Sequence, residues 1–148
     1  MTASTFHQAS STKYASDIDV SGFHTPRVSQ VVGTPLNAST GDLAATAGTA
    51  TLAGNADGST VYCSGFEITG GGATGASVVQ ATITGLTGGT LTLNVPVPAG
   101  ATLGIQPLVV EFNPAIPASA INTNIVLNLP SFGAGNAHAA GNIHGYRV

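Results

Sequence analysis
The chain has 148 residues, 43% of them hydrophobic and only 6% charged, and carries a net charge of -3 at neutral pH. That length holds one domain of ordinary size plus an extension, and the absence of any Lys or Arg between Val28 and Tyr146 leaves no cationic footprint to displace counterions from phosphates, which excludes nucleic acid as a partner. No apolar run approaches the ~18 residues of a helical membrane span, and Met1–Tyr14 lacks the charged start and apolar centre of a secretory signal, so no membrane partner and cytoplasmic synthesis are expected.

Residues 1–58 read as an extended N-terminal arm. They are rich in Ser, Thr and Ala, and their apolar pieces are short, such as Asp17-Ile18-Asp19-Val20 and Val28-Ser29-Gln30-Val31-Val32. Thr40–Gly58 offers one weak strand, Thr49–Leu52, and a composition that buries too little to offset its own ordering entropy. A neighbouring surface must hold it if it is ordered.

Residues 59–148 read as the folded domain. Val79, Ala81 and Ile83 share one parity while Gln80, Thr82 and Thr84 share the other, and Leu91, Leu93, Val95 and Val97 oppose Thr90, Thr92 and Asn94. A strand sends alternate side chains to opposite faces, so each segment buries one face and wets the other. The predicted strands are 61–68, 77–86, 90–97, 103–112, 121–129 and 143–148. Gly88-Gly89 signals a hairpin, and Pro98 and Asn113-Pro114 are expected to end strands because proline lacks a ladder donor. In the fifth strand Ile121, Ile125, Leu127 and Leu129 form the predicted apolar face. Helical turns have weak support at 42–47 and 115–120. Short antiparallel strands at this spacing predict an all-β antiparallel β-sandwich, immunoglobulin-like or jelly-roll-like.

The residues able to carry chemistry are few. Cys63 is the one cysteine, so no intrachain disulfide exists and a buried, inert strand residue is expected. His138 and His144 stand in the Gly-rich tail without a third ligand nearby in sequence, and His7 and His24 lie in the arm; zinc sites commonly need three or four ligands, so no metal is expected. Glu67 and Glu111 are the carboxylates of the strand region, but nothing in their spacing brings them to the separation a glycosidase pair requires. Ser64-Gly65 and Ser131 lack a nucleophile elbow, and Gly70–Gly75 lacks the lysine of a phosphate loop. Asn37-Ala38-Ser39 matches a glycosylation acceptor by chance, and Asp17 and Asp19 lack further acidic neighbours for calcium. These absences predict neither a catalytic site nor a cofactor, and hence a protein that is not an enzyme.

The phrases Gly85-Leu-Thr-Gly-Gly-Thr-Leu-Thr-Leu, Val97-Pro-Ala-Gly-Ala-Thr, Pro107-Leu-Val-Val-Glu-Phe-Asn-Pro, Leu129-Pro-Ser-Phe-Gly-Ala-Gly-Asn and His144-Gly-Tyr-Arg resemble small virion proteins of tailed bacteriophages, over residues 60–148. The resemblance implies a capsid decoration or accessory structural protein, made in the host cytoplasm and placed on the exterior of the virion. Its implied partners are the major capsid protein or other virion proteins and further copies of itself in a homo-oligomer. The alternative is a tail- or fibre-associated β-sandwich module binding host-surface glycan or another virion protein. Glycan sites favour aromatic platforms, and this chain offers only Tyr14, Tyr62 and Tyr146 with no Trp.

Overall fold
The computed structural model describes residues 33–148. They form eight strands: β1 (Thr34–Ser39), β2 (Gly48–Leu52), β3 (Val61–Gly70), β4 (Ser77–Leu86), β5 (Gly89–Val97), β6 (Leu108–Pro117), β7 (Ile125–Leu129) and β8 (Ala139–Arg147). The described residues contain no helix. Both short segments expected to make helical turns do otherwise, 42–47 holding a lone bridge from Leu43 to Ala139 and bends at 44–46, and 115–117 extending β6.

Two antiparallel four-stranded sheets result, with orders β1-β8-β3-β6 and β2-β7-β4-β5. The pairing is nested. β4 pairs with β5 across the hairpin, β3 with β6, β2 with β7 and β1 with β8, so the first half of the domain runs antiparallel to the second. Lateral pairs β3–β8 and β4–β7 knit this folded ribbon into two sheets.

Alternation decides what lies between the sheets. Val61, Cys63, Phe66 and Ile68 of β3, Ala81 and Ile83 of β4, Val95 and Val97 of β5, Ile125, Leu127 and Leu129 of β7 and Ile143 of β8 are buried in one cluster with Phe132 and Leu52. Each such aliphatic contributes on the order of 1.5–3 kcal/mol by leaving water. The inward phase in β3 shifts from odd to even residues because a bulge between Cys63 and Gly65 inserts Ser64, giving two residues against one on the partner strand. A second irregularity, between Ile83 and Leu86 of β4, is permitted by Gly85, whose φ of +84° lies where side-chain-bearing residues are strained.

Three sequence expectations are corrected. The expected arm of 1–58 is too long, because Thr34–Ser39 and Gly48–Leu52 are strands of the two sheets; their few apolar residues suffice since β8 and β7 supply the backbone partners. Residues 1–32 of that arm lie outside the described residues. The fourth predicted strand starts and ends later than expected, at 108–117: β6 is an edge strand, so Pro114 and Pro117 need no ladder donor on its free side. Finally, Ile121 is 61% exposed in the loop before β7 and does not join the apolar face of Ile125, Leu127 and Leu129.

Candidate interaction surfaces
One end of the sandwich is sewn together by Asn136, the one buried polar residue among the described residues. Its Nδ2 donates to the carbonyl oxygens of Gly71 at 2.9 Å, Gly72 at 3.2 Å and His138 at 3.1 Å. The loops after β3, β5 and β7 meet here through Gly72 N–H to Leu103 O, Ala73 N–H to Pro98 O and Thr74 N–H to Ala134 O. The Gly70–Gly75 tract is therefore a held corner of the fold. Ser131 Oγ, likewise, accepts the Gly133 N–H at 3.1 Å.

The outer face of the β1-β8-β3-β6 sheet gathers the strand charges. Glu67 accepts the Asn142 amide at 2.6 Å, and His144 Nε2 lies 3.2 and 3.3 Å from the two oxygens of Glu111. Glu111 reaches across β3 because residue 65, standing between them in register, is glycine. A Cβ there would meet Val110 O at 2.5 Å and Glu111 Oε2 and His144 Nε2 at 2.8 Å each. One rung further along, Tyr62 and Tyr146 stack with centroids 5.1 Å apart and planes within 8°. Asn37, Ser64, Glu67, Asn142 and His144 line a shallow groove of about 620 Å³ on this face.

The β2-β7-β4-β5 sheet differs in kind. None of its four strands contains Asp, Glu, Lys, Arg or His. Register places Thr49, Asn128, Thr82 and Thr92 in one row across all four strands, and Thr51, Val126, Thr84 and the neighbourhood of Thr90 in the next. Asn128 Nδ2 donates to Thr82 Oγ1 at 3.3 Å. This face has hydroxyl and amide groups that both donate and accept, and no charge to set a sign on its partner.

Chemistry is not assembled at either face. Cys63 is buried and burial pushes its thiol up to about 11, so it is a poor nucleophile at neutral pH. His138 sits 2.8 Å from Asp42 in an exposed pair remote in strand position from His144. Among the described residues no three His, Cys, Asp or Glu converge as a metal site. Glu67 and Glu111 share the outer face of β3 and β6, which sequence spacing did not reveal, but each already has its own partner. Asn37–Ser39 lies in β1. His7, His24, Asp17, Asp19 and Tyr14 lie outside the described residues. The role of Gly65 and the hub at Asn136 escaped sequence reading; the change of apolar phase between Cys63 and Phe66 was the available sign of the first, while Asn136 carried no local signal.

Comparison with protein-family models, curated proteins and solved structures found no match.

Proposed function
We propose that this chain is a structural protein of a bacteriophage virion, a capsid decoration protein held on the particle exterior in many copies by residues 1–32 and by contacts between copies. The observation that carries the reading is the strand order. Sheets ordered β1-β8-β3-β6 and β2-β7-β4-β5 follow the double Greek-key arrangement of a jelly roll, an architecture used by viral capsid and lectin domains. Supporting it, the charge-free β2-β7-β4-β5 sheet gives contacts that do not depend on ion pairs, as a repeated cement-like attachment needs. Among the described residues no three His, Cys, Asp or Glu side chains gather at one point to favour a different reading.

The groove beside Glu67 and Asn142 favours a second reading, a tail or fibre module recognising glycan, since paired carboxylate and amide groups suit sugar hydroxyls. It ranks below the first because Tyr62 and Tyr146 stack on each other and so offer fewer open ring faces on which a sugar could lie.

Cryo-electron microscopy of particles carrying the chain tests both. The first reading expects density for the domain in many symmetry-related copies on the outside of the head, retained when salt is raised, since screening acts mainly on exposed charges. Density confined to the tail, together with saturable binding on a glycan array, overturns it in favour of the second. Absence of the chain from purified particles overturns both.

A further inference from the structure
We infer that the edge of β5, open among the described residues, is the contact between copies: two chains pair β5 to β5, antiparallel about a two-fold axis at Leu93, and join their β2-β7-β4-β5 sheets into one continuous eight-stranded sheet. This rests on the reading of the chain as a self-assembling structural protein and names the surface that assembles.

Four strands lie at sheet edges among the described residues: β1, β2, β5 and β6. An exposed edge is a template for another strand, and proteins blunt it with short length, proline, charge or bulges. β2 has five residues; β1 has six and carries Pro35; β6 carries Glu111, Pro114 and Pro117. β5 is different. It has nine residues, no charge and a single proline, Pro96, next to its end.

Pro96 also fixes which groups are free. Proline is accommodated in a sheet where its nitrogen faces away from the neighbouring strand, and it pairs in register with Val78 of β4. Thr90, Thr92 and Asn94 share its parity, so their N–H and C=O groups point away from β4, toward the open edge. No backbone hydrogen bond from a loop among the described residues reaches them.

The occupant is a second copy because the strand matches its own reverse. About Leu93, Thr92 opposes Asn94, Leu91 opposes Val95 and Thr90 opposes Pro96. Thr92 and Asn94 stand on the polar outer side, whereas Leu91, Leu93 and Val95 face inward, so both faces of the joined sheet keep their character across the axis. Two uncharged edges meet without repulsion. The same side of the sandwich leaves Leu91, Leu93, Leu108 and Val110 only partly buried, and a cleft of about 360 Å³ opens between Asn94–Pro96 and Gln106–Leu108. Pairing at β5 covers this seam.

Sedimentation velocity of the full chain tests the contact, using Thr92→Pro, which removes an outward N–H without touching the β4 ladder, and Thr92→Lys, which guards the edge with charge. Far-UV circular dichroism and thermal melting verify that each variant is folded. Thr82→Lys, on the outer face of β4, is the control for packing of sheets face to face. The expected result is a wild-type chain at twice its chain mass, both Thr92 variants at once that mass, and Thr82→Lys unchanged. A wild-type oligomer that survives both folded Thr92 variants, or that is lost only in Thr82→Lys, overturns the β5 contact while leaving the decoration reading intact. A monomeric wild-type chain overturns the β5 contact; if that chain also fails to bind particles, the decoration reading falls with it.

Discussion
Replacing Gly65 by Ala puts a methyl group where the β3 backbone, the Val110 carbonyl and the Glu111–His144 pair converge. The new Cβ lies 2.5 Å from Val110 O, a backbone atom that cannot swing aside, and 2.8 Å from Glu111 Oε2 and His144 Nε2. Overpacking of this kind costs ~1–3 kcal/mol. Displacing the Glu111–His144 contact adds little, since these side chains are 65% and 37% exposed and even a charged pair so exposed contributes at most ~1 kcal/mol in water. The sum is about 1–4 kcal/mol, or roughly 4–16 °C in Tm at about 4 °C per kcal/mol for a domain of this size. Urea unfolding followed by tyrosine fluorescence and far-UV circular dichroism measures it, with Glu111→Gln as the variant that breaks the pair and spares the backbone. If Gly65→Ala costs no more than Glu111→Gln, the claim that glycine is required by backbone approach is wrong.

Two further outcomes follow from buried groups. Asn136→Asp replaces a donor facing three carbonyl oxygens with a carboxylate, so it is expected to cost more than Asn136→Ala at pH 7, and the excess is expected to shrink at pH 4, where the group can protonate and donate; equal losses at both pH values refute the hub. Burial raises the Cys63 thiol to about 11 from an ordinary value of 9.0. The folded state therefore holds that proton more tightly, and the associated stability is complete below pH 9 and lost as pH rises through 11, on the order of 2–3 kcal/mol. Denaturation midpoints across that range should fall in the wild type and fall less in Cys63→Ala, and a thiol reagent at pH 8 should label Cys63 only after unfolding.

The body of the sandwich was legible where alternation is undisturbed. β4 was read to its ends from Val79, Ala81 and Ile83, and β5 to within one residue from its Thr-Leu alternation. Legibility failed where pairing, not pattern, makes the strand. Thr34–Ser39 has only Leu36 and Ala38 to mark it, and becomes a strand because β8 lies alongside in a six-residue register. Edge position likewise excuses the prolines of β6, a property of neighbours that no local window contains. The surface ladder was less legible still: Glu111 and His144 are 33 residues apart, and only the sheet order reveals that a side-chain-free position separates them.

The nested pairing has a consequence for biosynthesis. β1 closes against β8, Thr34 opposite Arg147, so a ribosome has released everything from Thr34 through Arg147 before the first strand can find its mate. Only the β4–β5 hairpin is local enough to form early, and growth outward from Thr87-Gly88 must then bring together ever more distant stretches, a route slowed by the entropy of closing long loops. A circular permutant that opens this hairpin and links the neighbouring ends of β1 and β8 turns the last contact into the first, and should reach the same sandwich by the reverse itinerary.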